Sequence, residues 1–524
     1  MNPVGELILV LDSGTTSTRA IVFDREGAQR AVAQKELTQH YPRPGWVEHD
    51  AGEIWERTLA CARDAIVAVG GADRIACIGI TNQRETVVAW DRESGEPLAR
   101  AIVWQDRRTA PFCEELRAAG HEEAVQAKTG LLLDPYFSGT KMRWLLDNVP
   151  EVKAAADAGR LAFGTVESWL VYKLSGAHLS DASNASRTLL LPLEGAGWDE
   201  GLCDLFGVPV TALPEVTDNA GMLAETREGV FGHSLPICGL AGDQQAATIG
   251  QGCLSSGETK ATYGTGAFVL TNMGGEVPTS RNRLLGTVLM QQGGARTYAL
   301  EGSVFVAGSL IQWLRDSLGL IAQSADTEAL ARSVADAGGV VIVPALSGLG
   351  APHWRPEARG LISGLSFATG RAEIARAALE AMAMQTLDLA EAFAADGAQW
   401  DSLKIDGGMS ANDWMAQDLA DILALPVERP ANVETTALGA GMLAGVGAGL
   451  FGSLDEAANA MRGAVHRFVQ EMADAVRDER ITRAGGKRWK LFAPILTPPL
   501  LGWGGGWGIV NRAVFVLRSP PHCD

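Results

Sequence analysis

Residues 12–17 have the residue types needed to hold a phosphate group. This segment places one carboxylate, one glycine and four hydroxyls in succession, as Asp12-Ser13-Gly14-Thr15-Thr16-Ser17. Backbone N–H groups and hydroxyls in such a turn can converge on an anion that approaches closely over Gly14. The same residues also suit an ordinary hairpin turn, so this segment alone supports either interpretation.

Three later segments repeat this pattern of an apolar run next to a carboxylate or glycine turn. Residues 237–243 end in Asp243 before a predicted helix, residues 263–270 begin with a glycine turn, and residues 403–412 break at a double glycine before Asn412. Polar turns at strand ends, spread over the whole chain, predict one site assembled from two domains. The sequence identity among these segments is too slight to establish an internal repeat.

These acidic and glycine-rich turns are typical of a magnesium-nucleotide site. The chain has no GxxxxGK[ST], no GxGxxG after the first strand, no HExxH and no GxSxG, which argues against a P-loop protein, a dehydrogenase and the corresponding hydrolases. Phosphoryl transfer needs charge neutralisation and an aspartate that accepts the hydroxyl proton. Asp12 and Asp243 fit these roles, one near the metal and the other near the acceptor alcohol. A magnesium ion can be held largely by substrate phosphates and water.

Candidates for binding a hydroxylated substrate follow the predicted strand 75–81. Arg84 and Glu85 together supply hydrogen-bond donors and acceptors, although a surface salt bridge is the alternative interpretation. Trp104 and Tyr136 could pack against the carbon side of a small polar molecule, and Tyr136 could donate a hydrogen bond. Aromatic residues are more often part of the core, so neither decides the question.

The elements that must position these residues alternate between strands and helices. Apolar runs at 7–11 and 19–23 predict a β-hairpin, and a strand is predicted at 75–81. Helical periodicity is present over residues 51–69, 301–318 and 372–393, in the last of which Met382 and Met384 are expected to be core residues. Alternating strands and helices, together with hairpins, predict an α/β fold with mixed sheets.

Size and charge limit the class of protein. A chain of 524 residues is expected to form two large domains or three smaller ones. The net charge of -18 argues against nucleic acid or an anionic membrane as a partner. We expect no signal peptide and no membrane span, since the most apolar stretch, 491–517, is interrupted by prolines, glycines and Arg512. Seven scattered cysteines without CxxC spacing predict reduced thiols in a cytoplasmic protein.

With these motifs in view, the chain resembles the FGGY carbohydrate kinases of the actin-like ATPase superfamily, and among them the glycerol kinases. The resemblance covers residues 7 to about 470. It is carried by LDSGTTSTRAIVFD (11–24), YPRPGWVEHD (41–50), GITNQRET (79–86), AIVWQDRRT (101–109), DPYFSGTK (134–141), NASRT (184–188), AGDQQAA (241–247), YGTGAF (263–268), ALEGSVFVAG (299–308), SGLGAPHW (347–354), ARGLISGL (358–365), DGGMSAN (406–412) and TALGAGMLAG (436–445).

The resemblance implies two actin-like, ribonuclease H-like α/β domains with mixed sheets flanked by helices, and an active site in the cleft between them. The implied division is an N-terminal domain at 1–248 that binds glycerol and phosphate, a C-terminal domain at 249–470 that binds adenine nucleotide, and an atypical tail at 471–524. The implied reaction is ATP-dependent phosphorylation of glycerol to sn-glycerol 3-phosphate in glycerol catabolism, with Mg²⁺, in a cytoplasmic homodimer or homotetramer.

The resemblance also implies a role for each matching residue. Asp243 is the expected general base, and Asp12 and Asp243 are the expected magnesium-binding residues. The residues implied to bind glycerol are Arg84, Glu85, Trp104, Tyr136, Asp243, Gln244 and Phe268. Those implied to bind the nucleotide and its phosphates are Thr15, Thr16, Ser17, Arg19, Thr265, Gly308, Gln312, Gly408 and Asn412.

The chain departs from the family pattern at three places. Ser13 stands where glycerol kinases usually have glutamine, and the loop at 231–237 lacks the Gly-Arg pattern that binds fructose 1,6-bisphosphate in some relatives. The Pro-, Gly- and Trp-rich segment 491–524 does not match the family, and we expect it to be poorly ordered. Two other functions stay open, an FGGY kinase for another polyol or keto-sugar and an actin-like nucleotide-binding module without kinase activity.

Overall fold

The computed structural model describes residues 5–355 and 358–492, and for residues 484–492 it describes the backbone alone. The first half contains strands β1 (Leu7–Ser13), β2 (Ser17–Phe23), β3 (Gln29–Glu36), β4 (Glu48–His49), β5 (Ile75–Asn82), β6 (Val88–Asp91), β7 (Ala101–Ile102), β8 (Leu161–Gly164), β9 (Leu179–Asp181), β10 (Glu215–Thr217), β11 (Ala220–Glu225) and β12 (Pro236–Gly242). Its helices are α1 (Ala51–Ala68), α2 (Ala110–Ala118), α3 (Glu122–Thr129), α4 (Ser138–Asn148), α5 (Pro150–Asp157), α6 (Val166–Ser175), α7 (Ala182–Ala185), α8 (Glu200–Phe206), α9 (Glu228–Phe231) and α10 (Asp243–Gly250).

The second half contains strands β13 (Thr259–Tyr263), β14 (Ala267–Gly274), β15 (Leu285–Gln292), β16 (Ala295–Val304), β17 (Val341–Val343), β18 (Leu361–Ser363), β19 (Leu403–Asp406), β20 (Val427–Pro430) and β21 (Val465–Phe468). Its helices are α11 (Gly308–Asp316), α12 (Asp326–Arg332), α13 (Arg371–Ala395), α14 (Asp413–Leu423), α15 (Thr435–Gly447), α16 (Leu454–Met461) and α17 (Asp474–Phe492). Short 3-10 turns lie at Ala72–Arg74, Val210–Ala212 and Gly408–Ala411.

The first sheet has six strands in the order β11-β12-β5-β1-β2-β3. Strand β1 pairs antiparallel with β2 and parallel with β5, which pairs parallel with β12. Every residue of β1 is buried because helices cover both faces of the sheet. Leu9 and Leu11 pack with α1 and α6 on one face, whereas Ile8 and Val10 pack with α15 on the other. The fully apolar run at the start of the chain therefore forms a central strand.

The second sheet repeats this topology. Its seven strands lie in the order β15-β16-β14-β13-β19-β20-β21. Strand β13 pairs antiparallel with β14 and parallel with β19, which pairs parallel with β20, just as β1 pairs with β2 and β5 in the first sheet. Mixed sheets flanked by helices, predicted from the sequence, are confirmed. In each half a hairpin turn therefore lies at the same end of its sheet as the turn that follows a parallel strand.

Helix α15 belongs to the second half of the sequence but packs against the first sheet and α10. A Cβ atom on Gly439 would lie 1.8 Å from the Ala246 carbonyl oxygen, and one on Gly250 would lie 1.9 Å from the Thr435 carbonyl oxygen. Only glycine permits such a close approach of the two helix backbones. The start of α10, where Asp243 lies, is thus held against an element that arrives almost 200 residues later in the chain.

The structure confirms some sequence-based boundaries and corrects others. The helices predicted at 51–69 and 372–393 correspond to α1 and α13, and Met382 and Met384 are buried. The helix predicted at 301–318 is wrong over its first part, since residues 301–304 form the end of β16 and the helix begins at Gly308. Pairing with β14 as far as Val304, and with β15 at Glu301, determines the extended conformation there. The hairpin turn is also shorter than predicted, because β1 continues through Ser13 and β2 begins at Ser17.

Two predictions concern the rest of the chain. Among the described residues, no helix has both the length and the apolar character that a bilayer crossing requires. The first part of the predicted tail forms α17, whose Arg480 is buried in an ion pair with Asp418 of α14. Residues 493–524, which include most of the segment predicted to be poorly ordered, lie outside the described residues.

Candidate active site

The turn between β1 and β2 is held by hydrogen bonds from Gln83, the residue that follows β5. The Gly14 N–H donates to the Ser17 carbonyl at 3.0 Å, which closes the turn. The Gln83 backbone N–H donates to the Ser13 carbonyl at 2.8 Å, and its side-chain amide donates to the Gly14 carbonyl at 3.0 Å. Thr16 is exposed, and Thr15 is half-buried. The turn is therefore a rigid polar loop whose tip is open to solvent, as a phosphate site requires.

A chain of charges runs from this turn to the second half of the protein. Arg19 lies opposite Asp12 in the β1–β2 ladder and donates to its carboxylate. The same guanidinium donates at 2.6 Å to Glu434, which is the residue immediately before α15. Burial raises the pKa of Asp12 more than Arg19 lowers it. Asp12 and Arg19 thus lie together beneath the turn, where both carboxylate and guanidinium can face a bound phosphate and its metal ion.

Asp243 lies at the same edge of the first sheet as Asp12. It is the first residue of α10, directly after Gly242, which pairs with Asn82, whereas Asp12 pairs with the adjacent Thr81. Strand β5 lies between β1 and β12, so the two aspartates are at the same edge of the sheet but on strands that are not neighbours. A substrate that lies across this edge can approach both residues.

The surroundings of Asp243 make it a weak acid that is ready to accept a proton. Its carboxylate lies 3.3 Å from the Arg84 Nε and accepts a hydrogen bond from the Gln244 N–H at 2.7 Å. Burial raises its pKa to about 6, against the opposing effect of Arg84. About a third of the side chain, 34%, stays exposed and accessible to a ligand. Near neutral pH the group is ionised and close to its titration range, the condition that favours a general base.

Arg84 and Glu85 are buried in the structure and do not form a surface salt bridge. They are 3% and 1% exposed, and Glu85 adopts a left-handed backbone conformation with φ of 61°. The Arg84 guanidinium lies 3.5 Å from the Tyr136 hydroxyl. Burial raises the pKa of Tyr136, so its hydroxyl stays protonated and can donate. Arg84, Glu85, Tyr136 and Asp243 therefore present several donors and acceptors to one small space.

Three aromatic rings border this polar space. Trp104 contacts Tyr136 edge-to-face with ring centroids 5.7 Å apart, and its ring centroid lies 6.4 Å from that of Phe268 on β14. The Trp104 indole N–H also donates to the Thr15 hydroxyl at 2.9 Å, which links the aromatic wall to the hairpin turn. The arrangement has apolar rings on one side and charged groups on the other, a suitable lining for a short carbon chain with several hydroxyls.

Gln244 is connected to the second sheet through a buried lysine. The Lys260 ammonium, on β13, donates to the Gln244 side-chain oxygen at 2.6 Å and to the Thr262 hydroxyl at 2.9 Å. Burial lowers the pKa of Lys260, whereas Asp406 and Asp243 raise it. The seven residues predicted to bind substrate are therefore connected, with Gln244 joined to Asp243 through its backbone N–H and to the second sheet through Lys260.

A separate cavity of about 400 Å³ lies in the second half. Its lining includes Thr265, Gly308, Gln312, Gly408 and Asn412, the five residues of this half that were predicted to bind nucleotide. Apolar side chains, among them Ile311 and Leu379, form other parts of its wall. Asn412 caps α14 by accepting from the Met415 N–H at 2.9 Å and donates to the Thr327 hydroxyl at 3.2 Å. The cavity combines glycine turns, amides and an apolar surface, which suits a nucleoside.

The donors available to a metal ion are few. Within the part of the chain that the structure describes, no three His, Cys, Asp or Glu side chains are grouped as metal ligands. Asp12 and Asp243 supply hard oxygen atoms on two sides of the space next to the hairpin turn. These donors fit Mg²⁺, which commonly takes one or two carboxylates and completes its shell with phosphate oxygens and water.

Glu301, Arg187 and Lys260 are also site residues, although their sequence context assigns them no role. Glu301 accepts from the Arg84 Nη1 at 2.6 Å and from the Arg187 Nη2 at 2.9 Å, and these three side chains are buried. Glu301 and Arg187 occur in the segments 299–308 and 184–188 that carry the family resemblance, but no role was assigned to them. A carboxylate within the apolar run of β16 was the available signal, since an ionised group is rarely buried without a partner.

Comparison with known proteins shows similarity over most of the chain. The family models described as the N-terminal and C-terminal domains of the FGGY family of carbohydrate kinases match residues 7–250 and 259–448. A curated protein named glycerol kinase from Rhodospirillum rubrum is 57% identical over 450 residues, which are 85% of this chain and 91% of that protein. The glycerol kinase of Alcanivorax borkumensis is 54% identical over 477 residues, 90% and 96% of the two chains.

Solved structures show the same similarity in three dimensions. The crystal structure of Plasmodium falciparum glycerol kinase with ADP superposes with a TM-score of 0.87 at 35% identity and covers 92% of this chain and 98% of that one. A gluconate kinase from Lactobacillus acidophilus superposes with a TM-score of 0.83 at 21% identity, which shows a shared fold alone.

Proposed function

Because the chain belongs to the FGGY family of carbohydrate kinases, a family of ATP-utilising enzymes, we propose that it transfers the terminal phosphoryl group of ATP to glycerol, giving sn-glycerol 3-phosphate and ADP in glycerol catabolism. The observation that carries this proposal is the convergence of Arg84, Glu85, Tyr136 and Asp243 on one small polar space next to the hairpin turn. The curated relatives with more than half of their residues identical, each named glycerol kinase, support the choice of acceptor.

Glycerol binds with its carbon chain against the aromatic wall and its hydroxyls toward the charged groups. Trp104, Tyr136 and Phe268 contact the methylene and methine groups, while Arg84 donates to hydroxyl oxygens and Glu85 accepts from hydroxyl hydrogens. Gln244, held by Lys260, supplies a further amide contact. The support for this orientation is the division of the space into one apolar and one charged side.

Asp243 acts as the general base. It accepts the proton of the terminal hydroxyl while that oxygen attacks the γ-phosphorus in line with the leaving ADP. Support comes from its position at the sheet edge, its partial exposure and a pKa raised to about 6. A carboxylate near its titration range transfers protons more effectively than one held fully ionised.

ADP occupies the cavity lined by Thr265, Gly308, Gln312, Gly408 and Asn412. The phosphates extend from there to Thr15, Thr16, Ser17 and Arg19 at the hairpin turn. Mg²⁺ would neutralise charge on the phosphates when bound, and Asp12 and Asp243 are the side chains that would hold it. Backbone N–H groups, hydroxyls and one guanidinium thus bind the anion even though the protein carries a large negative net charge.

The proposed domains correspond to the proposed roles of their residues in binding glycerol and nucleotide. We propose an N-terminal domain at 1–248, a C-terminal domain at 249–470 and a tail at 471–524, although α15 and α16 return to pack on the first sheet. Hinged closure of the two domains would exclude water that could otherwise hydrolyse ATP. We also propose a cytoplasmic homodimer or homotetramer. Six described cysteines are free, which suits a reducing compartment, and the exposed Leu365 and Phe367 offer apolar surface for self-association.

The test is release of ADP from MgATP by the purified protein, with and without glycerol, together with identification of the phosphorylated product. We expect ADP release to depend on glycerol and the product to be sn-glycerol 3-phosphate. The same assay on xylulose, ribulose and erythritol decides whether another acceptor is preferred. Turnover of one of these without turnover of glycerol would overturn the proposed acceptor, and no turnover of any would favour the non-enzymatic alternative.

A further inference from the structure

Two arginines and two glutamates form a buried charge cluster behind the proposed glycerol site. The cluster consists of Arg84, Glu85, Arg187 and Glu301, which are 3%, 1%, 0% and 0% exposed. Arg187 donates to Glu85 at 2.7 Å and to Glu301 at 2.9 Å. Two cations thus face two carboxylates, so the buried charges balance and each ion has an opposite partner.

Within this cluster, Glu301 contacts Arg84 in a two-pronged arrangement. Its Oε2 accepts from the Arg84 Nη1 at 2.6 Å, and its Oε1 accepts from the Arg84 Nη2 at 3.1 Å. Paired hydrogen bonds between a carboxylate and a planar guanidinium fix the plane of the guanidinium as well as its position. The Nε edge of Arg84 then faces the opposite way, toward Asp243 at 3.3 Å and Glu85 at 3.8 Å.

The charge cluster joins the two sheets. Arg84 and Glu85 follow β5 of the first sheet, whereas Glu301 lies on β16 of the second. Arg187 and Arg84 lower the pKa of Glu301 to about 2, against the effect of burial, so Glu301 is ionised over the working pH range. A permanent negative charge that comes from the second half of the chain therefore determines where the guanidinium of the first half points.

We propose that Glu301 is a positioning residue for the substrate, which holds the Arg84 guanidinium in the orientation that binds glycerol, an inference that rests on the proposed function. Glu301 also neutralises Arg187, so that Glu85 keeps acceptor capacity for a substrate hydroxyl. Without the charge of Glu301, both guanidiniums would compete for Glu85 and Asp243, the two carboxylates that the reaction needs.

The test compares Glu301→Gln with the control Asp418→Asn. Glutamine keeps the shape of the side chain, but its NH₂ group cannot accept from a guanidinium. Asp418 is another buried carboxylate of the second half and lies on α14, outside the proposed site. It accepts a hydrogen bond from Arg480 of α17 at 2.8 Å. Both variants lose the charge of a buried carboxylate–arginine pair, so both report on a general loss of stability. Only Glu301→Gln is expected to change glycerol binding.

We expect Glu301→Gln to raise the KM for glycerol about 10- to 100-fold, the effect of losing a charged hydrogen-bond partner, with the KM for MgATP changed less than about twofold. Calorimetric titration with glycerol should show the same loss of affinity. Glu301→Asp, which keeps the charge but shortens the side chain, should restore part of the affinity. Asp418→Asn should leave the KM for glycerol unchanged.

If the KM for glycerol of Glu301→Gln stays within twofold of wild type, the proposal is overturned. A Tm lowered as in Asp418→Asn would then show that Glu301 has a merely structural role. If Glu301→Gln does not fold, the KM for glycerol of Glu301→Asp decides instead. A value within twofold of wild type would then overturn the proposal. A wild-type protein that does not turn over glycerol would overturn the proposed function and this inference together, whereas an active wild type with an unaffected variant would overturn this inference alone.

Discussion

Acidification from pH 7 to pH 5 should remove most of the catalytic efficiency, because it protonates Asp243. With a pKa of about 6, the carboxylate is about 90% ionised at pH 7 and about 10% ionised at pH 5. Only the ionised form accepts the proton of the glycerol hydroxyl. We therefore expect kcat/KM for glycerol to fall about tenfold over this range, with a slope of one per pH unit at the acidic end.

The assay measures initial rates of ADP formation between pH 4.5 and 8 at saturating MgATP, with ADP quantified directly after quenching. Binding of MgATP across the same range separates titration of the nucleotide from titration of the enzyme. A midpoint below about pH 4.5 would refute the reasoning, because it would give Asp243 the pKa of an ordinary exposed aspartate.

Acid unfolding would be a competing cause of lost activity, and Asp243 acts against it. Its pKa is raised in the folded protein, so the folded state binds this proton more tightly than the unfolded chain does. Protonation of Asp243 therefore stabilises the fold as the pH falls from above 6 toward its ordinary value of 3.8. A thermal melt at each pH should confirm that the protein is folded wherever the rate is measured.

Two pairs of variants test stability, one through buried hydroxyl groups and the other through the contact between α10 and α15. Ser13→Ala should be neutral or stabilising within about 1 kcal/mol, because the Ser13 hydroxyl is buried with no hydrogen-bond partner among the described residues. Thr18→Ala should cost about 1–3 kcal/mol, because it leaves the Thr58 hydroxyl unpaired. A larger loss of stability for Ser13→Ala than for Thr18→Ala in urea denaturation would contradict this. Gly439→Ala should cost about 3 kcal/mol, because its Cβ would lie 1.8 Å from the Ala246 carbonyl oxygen. Gly229→Ala should stay within about 1 kcal/mol, because its Cβ would have no described atom within 4 Å apart from its chain neighbours and its own helix backbone. Equal unfolding midpoints of the two glycine variants would count against the contact between α10 and α15.

Local pattern predicts the elements that carry the site. The apolar run 7–11 and the polar turn after it correctly predict the first hairpin, and the run before Asp243 correctly predicts a strand followed by a helix. These features depend on residues close together in the sequence, so they can be read without tertiary information. The family resemblance then gives the likeness to known kinases, which the comparisons confirm.

Contacts between distant residues could not be read in the same way. Glu301 and Arg84 are 217 positions apart, and their contact exists only because the two sheets meet at the site. The predicted helix at 301–318 fails for a related reason. The apolar residues Val304 and Phe305 fit a helical period, but pairing with β14 determines a strand as far as Val304. Local spacing does not contain those partners.

The burial of Arg84 and Glu85 shows the same limit. Their sequence context also suits a surface salt bridge, and only the tertiary structure shows that Arg187 and Glu301 enclose them. The placement of Thr265, Gly308 and Asn412 around one cavity likewise depends on three separate elements. Their roles as nucleotide ligands stay predictions.

The most direct test of the central claim compares wild type with Asp243→Asn in two measurements on the same preparations, glycerol-dependent ADP release and equilibrium binding of MgATP. Asparagine keeps the shape of the side chain but cannot accept the hydroxyl proton. We predict that kcat falls about 10²- to 10⁴-fold and that the Tm does not fall. The Kd for MgATP should rise by less than about tenfold, because phosphate oxygens, water and Asp12 would still hold the metal ion. Turnover within tenfold of wild type in a folded Asp243→Asn variant would contradict the assignment of Asp243 as the base on which the proposed reaction depends.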